Sequence, residues 1–392
     1  MKKNYLILML LFILPLLSGC WSRVELQDLG IITATAIDYL DDGETRVSVQ
    51  IFIPRTITTG QGGEDPSAGS TFVREGTGDN LATAIANLQE HVPRRLFWGQ
   101  CKIYILGEEL AKKGIRNEID FLVRHPSPRG NSLLFVSEGE AMEMLTLVPP
   151  LERYSGEALR KLVEEESGIK TTLRDVDMAL MGTSESVSMP YIKKLELTEQ
   201  AKKPNETIPI IHGTAIFKED QMAGTLNKEE ARSLLWLKDE VKRSTISIKL
   251  EGEDGEIAMT PTSGKVKFSP EIADGNWIMN LHIGISGDIV QNETHLNLMN
   301  KDVIKTIEKE YETGLRERIS KTIEQLQKEF HADAANFGRR FHQKYPNEWN
   351  KVKDNWDEKY SEIEIKIQVK AKIKGPGYIG PPAALPRNEV EE

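Results

Sequence analysis

The sequence lacks the residue patterns that mark most enzymes. Its seven histidines form no H-x-x-x-H pair and lie near no cysteine cluster, so a compact metal site has no local support. Neither a G-x-S-x-G nucleophile motif nor a P-loop is present. The stretch 375–380 matches G-x-G-x-x-G, but Pro381 and Pro382 follow it where a helix would have to begin to bind a pyrophosphate. No motif therefore supports catalysis, although the sequence does not exclude it. We predict no enzyme, no cofactor and no metal.

The sequence also lacks an excess of positive charge, and it lacks long apolar runs beyond the amino terminus. Lysine and arginine together number 50 against 60 acidic residues, which gives a net charge of −10 at pH 7. This balance argues against nucleic acid as a partner and against broad electrostatic contact with anionic lipid. Beyond the amino terminus no stretch approaches about eighteen consecutive apolar residues, so no membrane-spanning helix is predicted. The 39% hydrophobic content is typical of a globular chain, and the length suits two or three domains.

The amino terminus has the layout of a secretory signal. Two lysines precede the apolar run Tyr5–Leu17. As a helix this run reaches roughly 20 Å, which is too short for a hydrocarbon core of about 30 Å. The run ends in L-S-G-C at residues 17–20, which resembles the lipobox of bacterial lipoproteins. That resemblance implies a signal peptide at residues 1–19, cleavage before Cys20 and a diacylglyceryl group on the Cys20 sulfur. An ordinary signal peptide with a chance cysteine at its edge is the alternative.

Cysteine is limited to two positions, Cys20 and Cys101. If Cys20 carries lipid, Cys101 has no partner for an intramolecular disulfide, and the fold depends on its apolar cores. Cys101 lies in the segment 100–106, which alternates like a strand. We predict that it is a buried, inert thiol.

Strand and helix patterns alternate through the first half of the chain. Strand patterns at 31–37 and 47–53 flank a turn signal and predict a β-hairpin. Helical and strand patterns then alternate, which predicts an α/β domain over residues 20–199. The polar segment 200–207 is the predicted domain boundary.

The second half of the chain begins with a short mixed segment. Residues 208–240 are predicted to form a small middle domain, in which Asn227 lies three residues before Glu230, the spacing of a capping box. Residues 241–374 predict a C-terminal domain, built from an antiparallel meander, a long helix and a returning strand. The tail 375–392, rich in Pro and Gly and acidic at its end, predicts disorder.

The long helix is the clearest single element. Apolar residues recur every three or four positions over 302–330, which predicts one amphipathic helix of roughly 40 Å. Packing on the C-terminal sheet is the favoured interpretation, because its polar face mixes both signs of charge. A helix that binds a partner or lies on a membrane is the alternative. The fold class is thus α+β, or mixed α/β, with several domains, mixed or antiparallel sheets and a long helix on the C-terminal sheet.

Three tryptophans are candidates for contact with a partner: Trp236, Trp349 and Trp356. Aromatic anchors dominate the energetics of protein interfaces, which favours a binding role. The alternative is that they form core between helices.

Three blocks of sequence occur in a characteristic order. They are C-W-S-R-V-E-L at 20–26 with Leu29-Gly30, then G-T-A-I-F at 213–217 through L-L-W-L at 234–237, and finally Asp333, Phe337-Gly338, Tyr345-Pro346, Trp349 and Trp356. Together they resemble the Ger(x)C spore germination lipoproteins across nearly the whole mature chain.

The resemblance implies a function as the C subunit of a nutrient germinant receptor. Its partners would be two integral membrane subunits, A and B, and its location the outer face of the inner membrane of the dormant spore. The family is described as non-enzymatic, with three domains of unusual α/β topology, so only Cys20 transfers with a definite role, as the lipid attachment site. Two rival functions remain. A solute-binding lipoprotein of a transporter needs two similar lobes around a cleft, and a surface hydrolase needs a convergent acid–base set.

Overall fold

The structure, a computed structural model, describes residue 25 and residues 28–52, 71–165, 168–182, 186–196, 206–240 and 245–375. The predicted signal peptide, Cys20 and the predicted tail beyond residue 375 lie outside the described residues. Within them the chain forms two sheets and three clusters of buried apolar side chains.

The first sheet is large and mixed. Its strands are β1 (Leu29–Tyr39), β2 (Thr45–Phe52), β3 (Thr71–Gly78), β4 (Arg95–Phe97), β5 (Ile103–Leu106), β6 (Leu133–Ser137), β7 (Ser188–Lys194), β8 (Pro209–Lys218) and β9 (Gln221–Asn227). Their spatial order is β3-β2-β1-β5-β6-β7-β8-β9, with β4 paired to the start of β1. The run from β1 through β5 and β6 to β7 is parallel, and the neighbours on either side are antiparallel. The predicted hairpin of β1 and β2 is confirmed.

Helices cover both faces of this sheet. They are α1 (Leu81–Glu90), α2 (Glu108–Lys113), α3 (Arg116–Arg124), α4 (Ala141–Thr146), α5 (Ser155–Glu164) and α6 (Leu173–Met181). Leu134 and Val136 of β6 belong to the core on one face, while Phe135 belongs to the core on the other. Strands buried on both faces need continuous apolar runs, which explains the sequences of β5 and β6.

The segment 208–240 is shared between the two halves of the molecule. Strands β8 and β9 extend the large sheet, because β8 pairs with β7. Helix α7 (Lys228–Leu237) instead places Leu234 and Trp236 in the core of the second sheet. The predicted capping box is confirmed: the Asn227 side chain accepts from the Glu230 backbone, and the Glu230 carboxylate accepts from the Asn227 N–H. The segment thus joins the two halves.

The second sheet contains four strands in the described chain. They are β10 (Ile246–Ile248), β11 (Ile257–Ala273), β12 (Asn276–Asn292) and β13 (Glu364–Gly375), in that spatial order. Asp274 and Gly275 connect β11 to β12 with φ angles of 52° and 81°. Two positive φ angles match the right-handed twist of a tight hairpin, and the antiparallel pairing of β10, β11 and β12 confirms the predicted meander.

The antiparallel pattern of the C-terminal sheet ends at the returning strand β13, which pairs in parallel with β12. The cause is the long helix α8 (Lys301–Glu324), which continues through a π-helical turn at Gln325–Glu329. It carries the chain back along the sheet, so β13 enters at the end where β12 began. A helical crossover of this kind produces parallel pairing.

The predicted long amphipathic helix is confirmed, and it packs on the second sheet. Its buried stripe includes Ile307, Leu315 and Ile319. The Tyr311 hydroxyl donates to the backbone oxygens of Ile246 and Ile257, at 3.0 and 2.7 Å, and so joins the helix to β10 and β11. Three shorter helices complete this core: α9 (Phe337–Lys344), α10 (Pro346–Val352) and α11 (Trp356–Glu362).

Candidate functional site

The three tryptophans singled out in the sequence are all buried. Trp236 is 6% exposed on α7, and Trp349 and Trp356 are each 2% exposed on α10 and α11. All three belong to the core that joins α7, α8 and the second sheet. In the described structure none of them offers a surface to a partner, which supports the core alternative.

Two of these tryptophans form the centre of an aromatic cluster. The ring centroids of Trp349 and Trp356 lie 4.6 Å apart, as do those of Trp277 and Phe341. Trp356 also lies 6.0 Å from Trp277 and 6.1 Å from Phe341. Tilted ring pairs at these distances contribute beyond the area that they bury. The cluster therefore fixes the short helices α9, α10 and α11 against β12.

A buried carboxylate organises this cluster. Asp333 is 1% exposed and accepts three hydrogen bonds: from the backbone of Phe337 at 2.9 Å, from the backbone of Gly338 at 2.7 Å, and from Trp356 Nε1 at 3.1 Å. The two backbone groups are the first of α9, whose N-cap residue Asn336 makes no side-chain cap. Asp333 therefore caps α9 from three residues upstream and holds α11 to the same point.

Burial controls the ionisation of Asp333. Removal from water raises its pKa to about 6, although the three donors oppose the shift. The side chain is enclosed and already hydrogen-bonded, so it is placed to stabilise the fold and not to meet a substrate. The sequence marked Asp333 as part of a family block but gave no sign of this role, because its partners lie 4, 5 and 23 residues away.

A second buried carboxylate lies at the carboxyl end of β1. Asp38 accepts from the backbone of Ala141 at 2.6 Å and of Met142 at 3.1 Å, and Arg46 lies 3.2 Å from it. Arg46 also binds Glu140 at 2.7 Å. Burial raises the pKa of Asp38 despite these partners. This network caps α4 and joins it to the β1–β2 hairpin. Like Asp333, Asp38 therefore stabilises the fold.

An open cleft of about 660 Å³ lies near this end of the sheet, between α1, α2 and α3. The Lys113 ammonium stands 3.2 Å from the centre of the Tyr39 ring, and burial raises the pKa of Glu118 in the wall. Among the described lining residues no hydrogen bond joins a hydroxyl to a histidine or carboxylate, so no activated nucleophile is assembled. Across all the residues that the structure describes, no group of three His, Cys, Asp or Glu side chains is placed to hold a metal ion.

The two cysteines differ in what the structure shows. Cys20 lies outside the described residues, so its predicted lipidation remains a prediction. Cys101 is 1% exposed, its sulfur lies 3.3 Å from the Thr35 hydroxyl, and burial raises the pKa of its thiol to about 11. The predicted burial of this thiol is confirmed, and a raised pKa disfavours the reactive thiolate. Across the described segments no helix is both long and apolar enough to span a bilayer.

Comparison with family models covers nearly the whole chain. Residues 22–194 match a model described as "Spore germination protein N-terminal domain", and residues 212–377 match one described as "Spore germination B3/GerAC like, C-terminal". Neither description names an enzyme. The two matches are separated at residues 195–211, a region that contains the predicted boundary at 200–207.

Individual relatives are similar over nearly their full length. YfkR of Bacillus subtilis (strain 168), whose name assigns it to spore germination, is 27% identical over 374 residues, covering 94% of this chain and 95% of that protein. Spore germination protein KC of the same strain is 25% identical over 386 residues, covering 94% of each. The crystal structure of the GerBC protein shares the fold, with a TM-score of 0.59 at 19% identity over 87% of this chain and 97% of that one. The chain belongs to the Ger(x)C family of spore germination proteins.

Proposed function

We propose that this chain is the lipid-anchored C subunit of a spore nutrient germinant receptor. In this proposal it has no catalytic activity, and it assembles with two integral membrane subunits, A and B, on the outer face of the spore inner membrane. The observation that carries the proposal is a lipobox-like cysteine at the head of a chain whose remainder matches the germination family in order.

The position of the tether supports this arrangement. Cys20 lies nine residues before Leu29, where β1 begins, and β1 is an interior strand of the large sheet. Nine extended residues reach at most about 30 Å. A lipid on Cys20 would therefore hold the folded body within about 30 Å of the bilayer. Confinement of this kind raises the effective concentration of the chain near membrane partners without any new contact.

The structure favours this function over the two rivals. A solute-binding lipoprotein needs two similar lobes, whereas the described halves are a nine-stranded mixed sheet and a four-stranded sheet with different helix arrangements. A hydrolase needs a facing acid–base set, whereas the buried carboxylates Asp38 and Asp333 are both occupied as helix caps. Both observations support a role in assembly.

The tether is tested by replacing Cys20 with alanine in the native gene. We expect the wild-type chain from spore membranes to begin at Cys20 and to carry acyl chains, as measured by intact mass spectrometry. The Cys20→Ala chain is expected to keep residues 1–19, to carry no lipid and to abolish the response to nutrients. The reason is that burying acyl chain contributes about 0.8 kcal/mol per CH₂, which no residue of the protein replaces.

Cys101→Ala is the matched control, because its thiol lies in the core and should not affect lipidation. An unmodified Cys20 in the wild-type chain, or normal germination of Cys20→Ala spores, would contradict the proposed anchor.

A further inference from the structure

One face of the second sheet is left uncovered by the described chain. Helix α8 and the aromatic cluster pack on the opposite face, while alternate residues of β11, β12 and β13 on this face are largely exposed. We call it the lysine face after five exposed lysines that are paired with residues of β12: Lys265, Lys267, Lys366, Lys370 and Lys372.

The strand register places these lysines together. Gly284 on β12 pairs with Lys265 on one side and with Lys370 on the other, so one row reads Lys-Gly-Lys across three strands. In the next row His282 pairs with both Lys267 and Gln368, and His282 Nδ1 lies 3.0 Å from the Gln368 side-chain oxygen. Paired residues in neighbouring strands point to the same side of a sheet, so the lysines share one surface.

The centre of this surface is open. No heavy atom other than its chain neighbours lies within 4 Å of the position that a Cβ on Gly284 would occupy. Strands in a sheet lie about 4.8 Å apart. Lys265 and Lys370 are therefore the strand neighbours of a central position that carries no side chain.

The charge of the lysine face is only partly balanced. Lys366 lies 3.4 Å from Glu364, and Lys370 lies 3.7 Å from Glu312 of α8. The other three lysines of the face have no carboxylate of a described residue within 4 Å of the ammonium group: Lys265, Lys267 and Lys372. Three acidic residues share the face, and they sit towards its ends: Glu271, Glu364 and Asp288.

Protection of a sheet edge does not explain the lysines of β13. Lysines often keep an edge strand from pairing with other chains. The edge strand β13 is already protected by α8, since Glu308 accepts from the Ile373 N–H at 2.9 Å and Glu312 accepts from the Ala371 N–H at 3.1 Å. Like charges on neighbouring positions of a sheet are unfavourable. A partner of opposite charge would remove that cost.

We propose that the lysine face lies against a bilayer surface containing anionic phospholipid, with its ammonium groups on headgroup phosphates. This inference rests on the proposed lipid anchor, which places the body beside a bilayer. The face has no covering element among the described residues, and lysine binds phosphate as a mobile point charge without fixed geometry. A lipid anchor and a basic patch together give firmer attachment than either alone. The net charge of −10 is a sum over the whole chain, whereas the fold gathers these lysines into one local patch.

The test uses the chain from residue 20 onward with Cys20→Ser, which retains every residue that the structure describes and carries no lipid. Its flotation with vesicles of phosphatidylcholine alone is compared with flotation on equal parts of phosphatidylcholine and phosphatidylglycerol. The first variant replaces four lysines of the face with glutamine: Lys265, Lys267, Lys370 and Lys372. The control replaces four exposed lysines on the helices with glutamine: Lys228, Lys301, Lys309 and Lys351.

We expect the parent and the control to bind only the anionic vesicles, with affinity that falls as salt is added. The face variant should bind at least about tenfold more weakly, because one lysine at an anionic surface contributes on the order of fivefold in affinity. Both variants should melt at the same temperature as the parent, because every substituted lysine is exposed.

Equal binding to neutral vesicles, equal loss in the control, or no vesicle binding would overturn the proposal. If vesicles are not bound but the face variant loses co-purification with membrane proteins of the spore, the face is a protein interface and the lipid proposal is wrong. Because the tested chain carries no lipid, these outcomes are independent of the Cys20 anchor, whose failure appears in the mass measurement.

Discussion

Replacing Trp356 with alanine is expected to lower the free energy of unfolding by about 4 kcal/mol, as for large aromatic side chains removed from a core. The residue is 2% exposed and contacts the rings of Trp277, Phe341 and Trp349. Its loss would open a cavity and also remove one of the three donors to Asp333. Chemical denaturation of the isolated chain measures the effect.

Trp356→Phe separates the two contributions. It keeps most of the ring packing but lacks the indole N–H, so we expect a smaller loss of about 1 kcal/mol. If Trp356→Ala left the isolated chain as stable as the wild type and impaired only its recovery with membrane partners, the tryptophan would be an interface anchor and the core assignment would be wrong.

Replacing Asp333 with alanine should cost about 3 kcal/mol, because three buried donors would lose their acceptor. Two of them begin α9, and the third belongs to Trp356. Asp333→Asn is the conservative variant. Its amide oxygen can accept from part of this set, but its NH₂ group would face a donor, so an intermediate loss is expected.

The effect of Asp333 depends on pH. Burial raises its pKa from 3.8 to about 6, so the native state binds this proton more tightly than the unfolded state. Its contribution to the free energy of unfolding is therefore fully present below pH 3.8 and is lost as the pH rises through about 6. The stability difference between wild type and Asp333→Asn should shrink over that interval. If the stability difference grew with pH, the assignment of Asp333 as a carboxyl group whose charged form is disfavoured by burial would be wrong.

Local sequence patterns predicted most elements but not how distant elements pair. The β1–β2 hairpin, the capping box at Asn227 and the long helix α8 depend on contacts within a few residues or on simple periodicity. The direction of β13 depends on where α8 delivers the chain, and no residue of β13 encodes that. The assignment of β8 and β9 to the large sheet likewise depends on pairing with β7.

The same limit applies to the functional surfaces. Apolar and polar residues alternate along β13, and both β11 and β13 carry lysines in the sequence. Only the pairing of each with β12 shows that these lysines form one surface. Trp349 and Trp356 suit either an interface or a core by composition alone. Their burial around Asp333 is a tertiary property that spacing does not reveal.

The central claim is that the chain acts as one subunit of a membrane receptor. It is tested most directly by recovering the tagged wild-type chain from detergent-solubilised spore membranes and identifying what remains bound. We predict recovery of two integral membrane proteins with the chain, and their loss from the Cys20→Ala sample. Recovery of the wild-type chain alone, or with the components of a transporter, would contradict the account.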